Sequence, residues 1–423
     1  MNAHVVNRSV AEKTLFRQFA ESQGLQPSPA RASAFARFAE TGLPTRRVES
    51  WHYTDLRAAM ADAAPLLAVP ARAEIEAARL RLAGYERLAP GARLVLLGGR
   101  YIGELSDHPP LGVSVSEGAF AADPVDDPLA ALNEALSPPG CTISVARRAE
   151  IAEPITVLHL AHGNSAYSVY SRLAIAVDAG ARASFVETFE GAHAGAQRHA
   201  ATIIKIAKGA RATHITMVVD DPGLHIETQL CDLAESAELG AFGFVSGGDL
   251  TRRQIFVRMN GEDAKVSLGG LTLLDRDRRA DTTLQLVHVA PRGTSREFYR
   301  AIVDDDAIGV FQGKIVVERA AQKTDGAMKS QAVLLSPRAQ MNEKPELEIF
   351  ADDVVCGHGA TVASLDPEQV FYLRSRGIPE RESKAMLLEA FGGESIDRIA
   401  DDLLSVALRA RFSAWLRSRQ AKT

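Results

Sequence analysis

The stretch DDVVCGHGAT, Asp352–Thr361, sets a thiol and an imidazole two residues apart, Cys356 and His358, each followed by glycine. In an extended chain successive side chains alternate, so Cys356 and His358 share one face and Gly357 and Gly359 the other. Thiolate sulfur and neutral imidazole nitrogen both suit iron or an iron–sulfur species. Two such ligands leave a tetrahedral site half filled, so a second chain must supply the rest. The same pair also fits a plainer reading, with Cys356 a small buried hydrophobe and His358 a hydrogen-bonded interface residue.

Other candidates carry less. His159 and His162 in HLAH are three apart, which in a strand turns them to opposite faces and predicts an ordinary surface or loop role. The acidic run at 303–306, VDDD, lacks the spacing of a calcium loop and predicts a solvated turn. VFQGKIVV, Val310–Val317, has a Gly-Lys pair without the earlier glycine or the following hydroxyl residue of a nucleotide-binding loop, so the chain is not expected to hydrolyse ATP. No G-x-S-x-G, H-E-x-x-H or dinucleotide fingerprint occurs. Cys141, Cys231 and Cys356 are too few and too scattered for a disulfide framework or a four-cysteine zinc site, which predicts a reducing compartment. The first residues, MNAHVVNRSVAEKTLFRQFAES, contain no apolar leader core, and no run of 18 apolar residues appears, so a cytoplasmic location is expected. A net charge of -5 without a basic stripe argues against nucleic acid.

The elements that must position Cys356 and His358 form three texture blocks, 1–90, 91–365 and 366–423. In the first, AEKTLFRQFAESQ and ARASAFARFAETG space apolar residues by three and four, as amphipathic helices do. Trp51 and Tyr53 in the following GLPTRRVESWHYTDL are expected to anchor that connection to the body. From about 92 to 365 come short β-branched and apolar runs, RLAIAV, ATIIKIA and HITMVV among them. Small-residue turns recur around Ala181, Ala210, Ala237 and Ala264, at steps of 29, 27 and 27. That period suits the coils of a β-solenoid, whereas a sandwich turns every ~8–12 residues. A mainly β fold, a parallel β-helix flanked by N-terminal and C-terminal α-helical regions, is therefore expected. In the last block Asp366 is a helix N-cap before Pro367, Gly377 is a stop and Pro379 a second start. Leu404, Leu408, Phe412 and Trp415 then form one apolar stripe, whose partner is the chain's own helices, another subunit or a membrane surface, with protein packing first.

Three stretches together carry a resemblance: GLPTRRVESWHYTDL (42–56), QKTDGAMKSQAVLLSPRAQMNEKPELEIFADDVVCGHGATVASLD (322–366) and FYLRSRGIPERES (371–383). The chain resembles the SufB/SufD family of iron–sulfur cluster assembly proteins, and within it the SufD branch. The resemblance implies a right-handed β-helix and a complex of one SufB, one SufD and two SufC ATPase subunits that builds a nascent cluster. It implies a scaffold subunit without turnover of its own, whose last helices dock SufC; Leu408 and Phe412 are the candidate contact residues, or else internal core. It further implies that one open end of the β-helix pairs with SufB, or with a second copy of the chain. His358, supported by Cys356, would there face a SufB cysteine and take transient iron or a cluster, with no cofactor held firmly by this chain alone. Flavin belongs to the family's complex, but no residue here marks its place. The SufB branch, expected to show a Gly-Asp-Lys-Cys-Gly-Ala-His segment and a glutamate after the histidine, is the alternative within the family; here Gly359 follows His358. A carbohydrate-active β-helix enzyme is the alternative outside it.

Overall fold

The computed structural model describes residues 8–420 apart from 26–27, 86, 121–124, 164, 192 and 220–221. Residues 1–7, on which the reading of the leader partly rests, lie outside them. From Cys141 onward the chain alternates between a 10-stranded and a 9-stranded sheet, two strands to each coil. Neighbouring strands are parallel and in register: Lys265, Thr294, Asp325 and Val355 stack on successive coils of the larger sheet. Only the opening coil differs, with Arg93–Leu97 antiparallel to Arg100–Tyr101 and Val113–Glu117 antiparallel to Cys141–Val145.

The recurring small-residue turns are the coil corners. Ala181, Ala210, Ala237 and Ala264 are all buried in the lumen core. Each follows a residue with left-handed backbone, Gly180, Gly209, Ser236 and Asp263, with φ of 70°, 66°, 55° and 58°. A corner thus needs one residue that tolerates positive φ and then one small enough to turn inward.

Over the inner coils both faces of the sheets are covered, which explains near-continuous burial along strands such as Ser168–Val177 where a half-exposed strand would alternate. One face lines the lumen, with Ile143, Phe185, Ile204 and Leu284 among its core residues. The outer face of the smaller sheet lies under the N-terminal helices α1 (Val10–Leu25) and α2 (Pro29–Thr41) and under α5 (Pro128–Leu136). Two short helices, α3 (Leu56–Ala59) and α4 (Arg72–Ala83), follow α2. Trp51 is fully buried with the Arg252 guanidinium 4.2 Å from its ring centroid, and Ser50 accepts from Arg252 Nη2 at 2.7 Å, so this connection is anchored as its aromatic content predicts.

The outer face of the larger sheet lies under α7 (Glu380–Ile396) and α8 (Asp402–Gln420), which follow α6 (Pro367–Ser375). Leu404, Leu408 and Phe412 of α8 pack with Phe244, Leu271 and Ile302 of the sheet. Gly392 makes room for Phe412: a Cβ there would come within 2.5 Å of its ring. Arg419 near the end of α8 pairs with Asp275 at 2.8 Å and with Asp304. The acidic turn at 303–306 is therefore no free solvated loop; it holds the last helix in place.

Candidate functional site

The C-terminal end of the β-helix is uncovered. Strand Val355–Ser364 closes the larger sheet and Gln340–Ile349 the smaller; each is hydrogen-bonded on one side only. The strand Val355–Ser364 is exposed throughout except at Cys356, because no further coil lies above it. Ile349, Phe350, Val355 and Val362 add exposed apolar surface around this mouth.

Register fixes where the two sequence-predicted ligands point. Cys356 pairs with Gly326 and His358 with Met328, and both partners are buried positions facing the lumen. The two side chains thus share the inward direction, as the two-residue period requires. Cys356 packs against the lumen core, its Sγ 3.5 Å from where a Cβ on Gly326 would sit. Burial, only partly opposed by the Gly326 amide, raises its thiol above the ordinary range. His358, one step along, is exposed above Met328. On the outward side, a Cβ on Gly357 or Gly359 would meet nothing within 4 Å, so this chain's own packing does not demand glycine there. The other two cysteines are remote from this chemistry: Cys141 and Cys231 are buried, and burial pushes the Cys141 thiol up to about 12.

The lumen behind the mouth holds charges that the sequence reading missed. Glu187 lies at a lumen position with Phe185 and receives His159 Nε2 and His214 Nε2, each at 2.8 Å, on separate oxygens, and Thr202 Oγ1 at 2.7 Å. Burial opposes its ionisation, but the two imidazole contacts outweigh burial and hold the carboxyl below the ordinary glutamate range. His159 is therefore a buried, hydrogen-bonded lumen residue, and the expected surface or loop role is corrected. Its partner sits on the next coil, which spacing within HLAH cannot reveal. Because each imidazole takes a different oxygen, the carboxylate bridges the rings; the trio is a hydrogen-bonded link rather than a chelate.

Further along, Arg253 pairs with Glu227 at 3.0 and 3.1 Å and donates to Thr216 at 2.8 Å. Gly243 makes this possible, since a Cβ there would lie 1.6 Å from Arg253 Nη1. Two more lumen carboxyls stand nearer the mouth. Glu297 is 2% exposed and neither oxygen has a hydrogen-bond partner; burial, weakly opposed by Ser295, pushes it up to about 8. Glu343, on the last strand of the smaller sheet, likewise has two unpartnered oxygens; burial, opposed in part by Ser330, pushes it up to about 7. The signal available in the sequence was charge at lumen parity within apolar strands, as in ASFVETFE, but parity has meaning only once the coils are known.

Leu408 and Phe412, the candidate partner contacts, are 0% and 1% exposed, their apolar surface occupied inside the chain. Leu403 and Val406, on the other side of the same helix, are exposed at 48% and 70%. Among the described residues no helix is long and apolar enough to cross a membrane, and no three His, Cys, Asp or Glu side chains stand close enough to hold a metal ion by themselves.

Comparison with known proteins agrees with this architecture. Residues 159–391 match the family described as SUF system FeS cluster assembly, SufBD core domain. The chain is 31% identical over 416 residues to the iron-sulfur cluster assembly protein SufD of Escherichia coli, covering 94% of this chain and 95% of that one. It is 35% identical over 199 residues to the iron-sulfur cluster assembly SufBD family protein slr0076 of Synechocystis, covering 46% of this chain and 44% of the relative. Similarity to the chloroplastic protein ABCI7 of Arabidopsis thaliana is 29% over 231 residues, 54% of this chain and 49% of that protein. With the core-domain match covering most of the solenoid and the SufD match running nearly end to end, the chain belongs to the SufB/SufD family of iron–sulfur cluster assembly proteins, in its SufD branch.

Proposed function

We propose that the chain is a non-catalytic scaffold subunit of a cytoplasmic Suf-type complex, pairing through its open end with a SufB chain and docking the SufC ATPase through its C-terminal helices. Iron or a nascent cluster is the cargo, and His358, with Cys356 beside it, presents the first ligands to it. The observation that carries this reading is the uncovered last coil, which directs a thiol and an imidazole toward a mouth that this chain leaves open.

Three features of the end support a partner there. Unpaired strand edges on both sheets offer backbone donors and acceptors to another chain. The exposed apolar residues around them supply area to bury. The bare outward face at Gly357 and Gly359 lets a second backbone come close. Two ligands of the thiolate and imidazole kind leave coordination positions for that partner to fill.

The test is co-expression with SufB and SufC, comparing wild type with His358→Ala. Because His358 is exposed and packs on nothing above it, the complex should assemble and co-purify unchanged while its iron and acid-labile sulfide content falls. An intact complex with undiminished cluster content refutes the role given to His358.

A further inference from the structure

Away from the mouth, where the solenoid begins, a cleft of about 350 Å³ lies between the first two helices and the opening coils. Glu21 and Ser22 of α1 and Arg31 of α2 stand on its helical side, Arg100 and Ser168 on its strand side. Backbone bonds fix these walls. Ser168 N donates to Pro65 O at 2.7 Å and Leu67 N to Ser168 O at 2.8 Å, which ties the connection 65–67 to the start of the strand Ser168–Val177. The turn at Gly98 and Gly99, with φ of 58° and 78°, presents Arg100 and lies so close to that strand that a Cβ on Gly99 would come within 2.2 Å of Tyr170 O.

The two arginines are cations in an unfavourable place. Arg31 is partly buried in the first turn of α2, the positive end of the helix, and that turn holds no acidic residue. Burial, and after it the neighbouring Arg100 charge, hold its pKa below the ordinary arginine value. Its Nε donates to Ala135 O at 2.7 Å and its Nη2 to Ser22 Oγ at 3.1 Å, so neutral acceptors hold the guanidinium in position without balancing its charge. The Arg100 side chain has neither a hydrogen bond nor an ion pair among the described residues. Glu21, the one acidic residue of the lining, is exposed and pairs with neither arginine. Two further lining residues, Gln18 and Tyr170, are 6% and 2% exposed, and the Gln18 Oε1 and the Tyr170 hydroxyl have no hydrogen-bond partner. The cleft thus combines uncompensated positive charge with unused polar groups. Leu66, Leu67, Leu136 and Pro138 give it an apolar wall as well.

We propose that this cleft binds a phosphate monoester with a compact apolar body, the phosphate held by Arg31 and Arg100 and the body lying on the leucines and Pro138. A dianion between two guanidiniums relieves their mutual repulsion, and the planar fork of each matches phosphate oxygens in pairs. The apolar wall adds the burial that a small-molecule site needs besides charge. The site shares no residue with the mouth, so it stands or falls independently of the roles given to Cys356 and His358.

The test is isothermal titration calorimetry of the full-length chain with phenyl phosphate at low ionic strength. Wild type should bind saturably at one site per chain, and more tightly than it binds inorganic phosphate. Arg100→Gln, which removes a side chain without partners, should keep the wild-type thermal midpoint and weaken binding by about tenfold or more. Glu21→Gln, which removes the repelling carboxylate, should tighten binding by about twofold to threefold. That opposite response separates a phosphate site from a loss of folding, which would weaken binding in both variants. Saturable binding absent from wild type, affinity unchanged in Arg100→Gln, affinity lowered in Glu21→Gln, or inorganic phosphate bound as tightly as phenyl phosphate overturns the proposal.

Discussion

Replacing Glu297 by glutamine should stabilise this protein, and the gain should grow with pH. The Glu297 carboxyl is sealed in the lumen without a hydrogen-bond partner, and burial raises it from an ordinary value of 4.5 to about 8. Between those values the folded chain keeps a proton that the unfolded chain has released. The stability linked to this group is therefore fully present below pH 4.5 and is lost as pH rises toward 8. Each unit of displacement corresponds to about 1.4 kcal/mol, so wild type should lose on the order of 3 kcal/mol by pH 7 and about 5 kcal/mol above pH 8. Glutamine does not titrate and escapes this loss, although its amide inherits the same lack of partners. Urea unfolding of wild type and Glu297→Gln at pH 5, 6, 7 and 8 measures the effect, and the two should diverge steadily across that range. Because solenoid coils can open separately, hydrogen exchange of the strand Thr294–Val303 should show the same divergence locally. Stability curves that run parallel from pH 5 to 8 would refute the claim that Glu297 is protonated in the folded lumen.

Gly243→Ala places a methyl group 1.6 Å from Arg253 Nη1, and the guanidinium is tied to Glu227 and Thr216. Breaking that buried pair should cost about 3–5 kcal/mol, read as a lowered thermal midpoint; a variant as stable as wild type would mean that the lumen yields there. Phe412→Ala empties a fully buried site between α8 and the larger sheet, with an expected loss of about 3–5 kcal/mol and faster hydrogen exchange confined to α7 and α8. Val406→Asp, at a position 70% exposed, should leave the stability within about 0.5 kcal/mol of wild type yet weaken co-purification of SufC, and unaltered co-purification would move the docking surface elsewhere.

What the sequence made legible was whatever depends on local period. The alanine corners at 181, 210, 237 and 264 showed the coils because each turn repeats one local requirement, positive φ followed by a small inward residue. The two-residue period placed Cys356 and His358 on one face without any knowledge of neighbours. Asp366 caps α6 by accepting from the Glu368 amide, again a matter of a few adjacent residues. What stayed hidden depends on contacts between coils or between distant segments. His159 meets Glu187 28 residues away, Arg419 meets Asp304 115 residues away, and Arg253 meets Glu227 26 residues away. Leu408 and Phe412 show the remaining ambiguity: an apolar helical stripe states that something covers it, and only the fold says that the cover is the chain's own sheet.

The way the C-terminal helices fold back bears on why the mouth stays open. After the last strand the chain has three helices with which to cap the final coil, yet α7 and α8 pack sideways on the outer face of the larger sheet. The last coil keeps its unpaired edges, its exposed Val355 and Val362, and the uncompensated carboxyl of Glu343. Each of these features is unfavourable for an isolated chain, through a solvated apolar surface, an edge open to misassociation, or a polar group without a partner. A second chain meeting this end would relieve the first two together by extending both sheets and covering the apolar rim. On the proposed reading, a contact that covered the edge would also enclose Cys356 and His358, so that closing the β-helix and completing the ligand set would be one event.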